Sequence, residues 1–296
     1  MDGSKLKRQI WIPALIAFGV AIAVFAAIPT RRGNMSPGEY ASPNLAPTSL
    51  GFDRNDYPGD NALPALRRTF SFSSYWLNPP PGEGTNSWAG KREVLAKNNF
   101  GFLVLFTGRG SSELKSVKAA TRLGVSDSAA AIASALHEGF AKGTIIFLDQ
   151  EEGGRMLPEQ KAYIYAWADG VNGSGFRAGI YCSAIPVNDG GEKVVTAEDI
   201  RDHANGRAIV YWVYNDACPP ASGCVYPPDP PRPSSSGFAE AAVWQFSQSP
   251  RRHEYTAQCA STYSADDNCY PPKESGAGAI FLDLDTSNSP DPSSAR

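Results

Sequence analysis

The chain has 296 residues, 42% hydrophobic and 11% aromatic, which is enough apolar material for one large folded domain with a short appendage. Its formal net charge is −3 and it has no long basic run, so nothing in its electrostatics points to a nucleic-acid partner. A strongly charged substrate is not required either.

Lys5, Lys7 and Arg8 precede Ile10 to Ile28, a stretch with no charged side chain, and Arg31 and Arg32 follow it. About 20 apolar residues can span a bilayer. Residues 10–29 are therefore read as a membrane-targeting segment. It is either a signal anchor, with 1–9 as a cytoplasmic tail and the membrane as a partner, or a signal peptide cut near Val24-Phe25-Ala26. Residues 30–47 carry Pro37, Pro43 and Pro47 among small polar residues and read as a linker. A folded domain is expected over 48–291, with 292–296 as a C-terminal tail.

The first strand of that domain is Leu50 to Asp53, closed by a carboxylate. A short helix over Asn61 to Arg68 leads to a second strand from Phe70 to Trp76. A helix around Trp88 to Lys97 is followed by a third strand, Phe100 to Phe106. Ile132, Leu136 and Phe140 recur at helical spacing and mark a helix over Asp127 to Phe140.

The fourth strand lies within Gly143 to Gly154, where the apolar run Ile145-Ile146-Phe147-Leu148 passes into Asp149-Gln150-Glu151-Glu152. Side chains alternate along a strand, so Phe147, Asp149 and Glu151 share one face and Leu148 and Gln150 the other. Pro158 suits the first turn of a helix that runs to Val171. Arg177 to Cys182 is the fifth strand, a helix opens at Thr196, and Ala208 to Tyr214 is the sixth strand. A loop from Cys218 to Gly237 holds seven prolines. The seventh strand is Ala242 to Phe246, and the eighth is Ala279 to Asp285.

Eight strands, with helices between the first six, predict an α/β TIM-type (β/α)8 barrel. A doubly wound open sheet is the alternative, but the glycine fingerprint expected after its first strand is missing. Cys218 and Cys224, and likewise Cys259 and Cys269, are close enough in sequence to close small disulfide rings. That places the domain in an oxidising compartment outside the cytoplasm. Cys182 is left over as a buried thiol.

In a barrel of this kind the catalytic side chains sit at the carboxyl ends of the strands. The strand phases bring Asp53, Asp149, Glu151, Tyr181, Trp212, Gln245 and Asp283 to one mouth. Carboxylates beside aromatics suit a carbohydrate. Breaking a glycosidic bond needs a proton donor and a second group that stabilises positive charge or activates water. Glu151 is the candidate acid, and Asp149 the residue that orients an N-acetyl group or stabilises charge. Asp53 and Asp283 are either further site acids or structural partners of Arg54 or Arg155. Tyr181, Trp212, Gln245, Glu152 and Asn215 are the candidate sugar-binding residues.

His137, His203 and His253 form no HExxH pattern, and no GxSxG elbow is present. The cluster Asp149, Glu151 and Glu152 is by itself a weak metal signal. No metal or cofactor is expected.

Gly51-Phe52-Asp53, Phe147-Leu148-Asp149-Gln150-Glu151, Gly179-Ile180-Tyr181, Tyr211-Trp212-Val213, Val243-Trp244-Gln245-Phe246 and Leu282-Asp283 resemble, in order, the strand ends of family 25 glycoside hydrolases, the muramidase-type lysozymes. The closer resemblance is to a secreted bacterial group described as having a glycoside-hydrolase-like domain, and it covers roughly 48–291. It implies a barrel and a peptidoglycan-type sugar substrate. Glu151 would match the proton donor, Asp149 its companion, and Asp53 and Asp283 the flanking acids. The chain departs from the lysozymes after the first strand, where Arg54-Asn55-Asp56-Tyr57 stands in place of a histidine or serine-rich signature, and in its proline-rich, cysteine-containing loop. The function expected is hydrolysis of cell-envelope polysaccharide. The alternatives are a non-catalytic glycan-binding or envelope-organising module on the same barrel, and a secreted scaffold with no sugar site.

Overall fold

The structure, a computed structural model, describes residues 47–215, 230–248 and 282–296. Its strands are β1 (Ser49–Asp53), β2 (Phe72–Trp76), β3 (Gly101–Thr107), β4 (Ile145–Asp149), β5 (Arg177–Ser183), β6 (Val187–Asp189), β7 (Glu192–Val194), β8 (Val210–Tyr214), β9 (Ala241–Ser247) and β10 (Asp283–Ser287). Its α-helices are α1 (Leu63–Leu66), α2 (Arg92–Lys97), α3 (Val117–His137), α4 (Pro158–Gly173) and α5 (Thr196–Asp202). Eight strands close a barrel in the order β1-β10-β9-β8-β5-β4-β3-β2. With its surrounding helices this is a TIM-type barrel.

One strand departs from the all-parallel pattern. β10 runs antiparallel to both of its neighbours, β1 and β9, while the other adjacent pairs are parallel. β9 finishes at the mouth and β10 begins there, so the two strands run antiparallel. The eighth strand also lies later than Ala279 to Asp285. Residues 279–281 of that expectation fall outside the described residues, as do 10–29, Cys218, Cys224, Cys259, Cys269 and His253. Among the described residues no helix is long and apolar enough to cross a membrane, and Cys182 is a free, buried thiol.

Two further differences have local causes. α3 starts at Val117, not Asp127, because Ser116 caps it by accepting from the Ala119 amide at 3.3 Å. Exposed Val117 and Val125 blur the apolar period over its first turns. The hairpin β6–β7 was not anticipated. It turns on Gly190 and Gly191, at φ of 61° and 93°, which is the left-handed pair that a two-residue hairpin turn requires.

Inside the barrel, aromatic rings lie over glycines of neighbouring strands. A Cβ on Gly51 would fall 2.1 Å from the Phe72 ring, and one on Gly179 would fall 2.4 Å from Phe147. Phe147 in turn meets Trp212 edge-on at 5.8 Å. This layer closes the barrel beneath the mouth. Between barrel and helices, Tyr75, Phe102 and Phe140 stack edge to face at 5.1 to 6.0 Å.

α3 and α4 approach so closely at Gly124 that an added Cβ would sit 2.4 Å from the Tyr163 carbonyl oxygen. Gly124→Ala should therefore cost about 1–3 kcal/mol, read as a lowered urea midpoint with an unchanged slope.

The last residues are bound to the floor. Phe102 N donates to Asp291 Oδ1 at 2.9 Å, Val104 N to Ser293 Oγ at 2.9 Å, and Ile145 N to Ser293 O at 2.8 Å. Strands tilt in a closed barrel. The tail fills the wedge between β3 and β4 below the point where their ladder begins at Val104 and Ile146.

Candidate active site

The mouth holds a cleft of about 420 Å³. Its carboxyl groups are Asp53, Asp149, Glu151 and Asp283, and its other walls include Trp76, Leu105, Tyr181, Trp212, Tyr214, Gln245 and Gln248. Of the residues singled out in the sequence, Glu152 and Asn215 stand outside this lining. Alternation ends with β4 at Asp149, and Glu152 turns to the loop before α3, where it accepts from Ser111 N at 3.0 Å and from Gln160 Nε2. Asn215 donates to Ser236 O at 2.6 Å and accepts from Trp244 Nε1 at 2.8 Å. Both residues brace loops.

Asp149 ends β4 at the base of the cleft and is 6% exposed. Glu151 stands at the rim, exposed. The segment between them is fixed at its backbone. Gly108 N donates to Asp149 O at 3.2 Å, Gln150 N to Tyr181 O at 3.0 Å, and Tyr214 OH to Glu151 O at 2.9 Å. A Cβ on Gly108 would lie 2.2 Å from Asp149 O, so only glycine permits that approach. Farther along, Gly154 N donates to Thr196 Oγ1 at 2.7 Å and Met156 N to Asp199 Oδ2 at 2.8 Å. Arg155 clips the loop to the β6–β7 hairpin through Asp189 at 2.8 Å and Glu192 at 3.0 Å.

On the opposite wall Asp53 closes β1, in register with Asp283 at the start of β10. Asp283 reaches the mouth as the first residue of a reversed strand, not as the last residue of a parallel one. Gln245 Nε2 donates to Asp53 Oδ2 at 2.7 Å, while Gln245 Oε1 accepts from Tyr181 OH at 2.7 Å and Gln248 Nε2 at 3.0 Å. Trp212 is 1% exposed and donates from Nε1 to Asp285 Oδ1 at 2.9 Å. It is therefore a floor to the cleft and not an open stacking platform. Trp76 and Tyr181, 4% and 7% exposed, offer only edges.

Asp285, Trp76, Tyr214 and Gln248 are among the residues here that escaped the sequence reading. Asp285 shares the face of Asp283 by simple alternation, Trp76 shares that of Ser74 on β2, and Tyr214 stands at the end of β8. The loop after β1 is held by Trp76 Nε1 donating to Arg54 O at 3.0 Å and Trp88 Nε1 to Asn55 O at 2.7 Å.

Burial pushes the Asp149 carboxyl well above the usual carboxylate range, and the nearby charges of Glu151 and Asp53 push it further. Partial burial of its carboxyl raises Glu151, although the residue as a whole is exposed. Burial also raises Asp53, opposed by its hydrogen bonds with Gln245 and Asp285. An acid whose folded pKa is raised lends stability that is complete below its unfolded pKa and is lost as pH rises through the folded value. The protein should therefore melt higher at about pH 5 than at about pH 8, and Asp149→Asn should flatten that slope by up to about one proton. Thermal melts across this range check it. Among the described residues no group of three or more His, Cys, Asp or Glu is arranged to hold a metal ion.

Residues 80–222 match the model of the Rv2525c-like, glycoside hydrolase-like domain. The chain carries a glycoside hydrolase-like domain of this kind. That match takes in β3, β4, β5 and β8 of the barrel, and with them Asp149, Glu151, Tyr181 and Trp212 of the cleft.

No curated protein matches the chain. Among solved structures, the glycoside hydrolase-like domain is similar to an uncharacterized B. stearothermophilus protein at 15% identity and a TM-score of 0.48, covering 81% of this chain and 95% of that one. It is similar to the Mycobacterium tuberculosis Tat-secreted protein Rv2525c at 14% identity and a TM-score of 0.48, covering 82% and 95%. A family GH25 lysozyme from Aspergillus fumigatus aligns at 13% identity and a TM-score of 0.43, covering 82% and 94%.

Proposed function

We propose that the cleft hydrolyses glycosidic bonds of a cell-envelope polysaccharide of the peptidoglycan type, with Glu151 giving its proton to the leaving oxygen and Asp149 as its companion acid. The observation that carries this reading is one accessible carboxyl of raised proton affinity at the cleft rim, with a buried carboxyl two residues before it at the base. A glycosidic oxygen leaves readily only when protonated, and the sugar it leaves behind carries positive charge that an anion below can balance.

Burial and neighbouring charge act together to raise Asp149, while partial burial acts alone on Glu151. The reaction needs Glu151 protonated and Asp149 ionised, and a bound sugar favours that arrangement. Covering Glu151 removes its remaining water and strengthens its hold on a proton, whereas an N-acetyl N–H donated to Asp149 favours the Asp149 anion. Asp53 and Asp283 flank the pair. Because Trp76, Tyr181, Trp212 and Gln245 are buried, recognition falls to the half-buried groups at the mouth, Gln248 and Tyr214 among them.

The apolar segment 10–29 and the four cysteines at 218, 224, 259 and 269 support a place outside the cytoplasm, anchored in the membrane or secreted. The test is to incubate the full chain with purified peptidoglycan and with chitin-type oligosaccharides and to measure soluble fragments. Fragment release is expected. Saturable glycan binding with no release would favour a non-catalytic binding module, and neither binding nor release would favour a scaffold.

A further inference from the structure

Beneath the cleft, outside its lining, Asp285 is wholly buried at 0% exposure. The register places it between Gly51 of β1 and Gln245 of β9, so it lies diagonally across from Asp53, two residues beyond Gly51. Asp285 Oδ1 accepts from Trp212 Nε1 at 2.9 Å, and Oδ2 is buried with no donor reaching it among the described residues. As a carboxylate, Asp285 would be a fully buried anion held by one neutral donor beside a second carboxyl, an arrangement that burial strongly disfavours. As an acid, Asp285 has an acceptor in the Asp53 carboxyl, its side-chain hydrogen-bond partner. Gln245 cannot accept that proton, because it spends its carbonyl oxygen on Tyr181 and Gln248, and its amide N–H, turned to Asp53 Oδ2 at 2.7 Å, marks that oxygen of Asp53 as an acceptor.

We propose that Asp285 and Asp53 hold one proton between them, carried on Asp285 Oδ2 and donated to Asp53, and that Asp285 is thereby a positioning residue that fixes Asp53 as the anion of the pair. The groups facing the pair are Asp283 on β10, Tyr181 on β5, Arg54 after β1, and Asp149 and Glu151 across the cleft. Burial, then the charges of Asp53 and Asp283, favour the proton on Asp285. Proton sharing stands without the hydrolase reading. Its consequence for turnover rests on that reading.

Two variants of the full chain test it. Asp285→Asn keeps an acceptor for Trp212 and a donor for Asp53 but has no proton to lose. Asp285→Leu removes both. The pH dependence of thermal stability between about pH 5 and about pH 8 should flatten by up to about one proton in D285N. In glycan cleavage D285L should lose about 100-fold through misplacement of Asp53, and D285N should recover most of it. A D285N slope equal to that of the wild type would overturn the shared proton whatever the activities. D285N as inactive as D285L, with both folded, would overturn the positioning role. If D285N flattens the slope and even the wild type releases no fragments, the shared proton is supported and the hydrolase reading alone fails. Should D285L not fold, the D285N slope still decides.

Discussion

Replacing Glu151 by Gln is expected to lower glycan cleavage by about 10³-fold while leaving the fold and the affinity for glycan intact. The substitution keeps the size and hydrogen-bonding reach of the side chain and removes only the transferable proton. The backbone of this loop is fixed by Tyr214 and by the anchors at Gly154 and Met156, none of which uses the Glu151 carboxyl, so the surrounding geometry should survive. Partial burial raises the Glu151 carboxyl, and the acid is active in its protonated form. Wild-type activity should therefore fall as pH rises through the Glu151 value. In E151Q the residual activity should lose that alkaline limb. Steady-state rates across pH, with oligosaccharide affinity measured separately by calorimetry, check both points. A variant that cleaves at the wild-type rate would remove Glu151 from the chemistry.

Ending the chain before Pro290 should cost about 3 kcal/mol or more, because three buried strand amides lose their acceptors together. Phe102, Val104 and Ile145 all donate to Asp291 or Ser293, and Ser293 and Ala295 are themselves buried. Gly101→Ala should fail in the same direction, since its Cβ would sit 2.0 Å from the Pro290 carbonyl oxygen and force the tail away. Urea denaturation measures both variants. Midpoints unchanged from wild type would mean that water replaces the tail on the floor at no cost.

The barrel was legible because buried parallel strands leave apolar runs that stop at polar residues, as Ile145 to Asp149 does. The direction of β10 was not legible, since period-two alternation reads the same along a strand in either sense. Asp283 came to the mouth in both readings. Asp285, two residues on and on the same face, was within reach of the same rule, but the eighth strand was ended at it and its partner Trp212 lies on a strand distant in sequence. Glu152 drew notice by adjacency to Glu151, and only the end of β4 turns it away. The tail left no apolar pattern, because Ser293 and Asp291 bind through polar atoms that a small polar sequence does not advertise.

The most direct test of hydrolysis in this cleft is digestion of purified peptidoglycan in ¹⁸O-labelled water, with mass spectrometry of the soluble fragments. Hydrolysis adds water across the broken bond, so the account expects fragments whose new reducing ends carry the heavy isotope, formed by the wild type and suppressed in E151Q. Glycan bound and recovered intact, or fragments released without label, would contradict it.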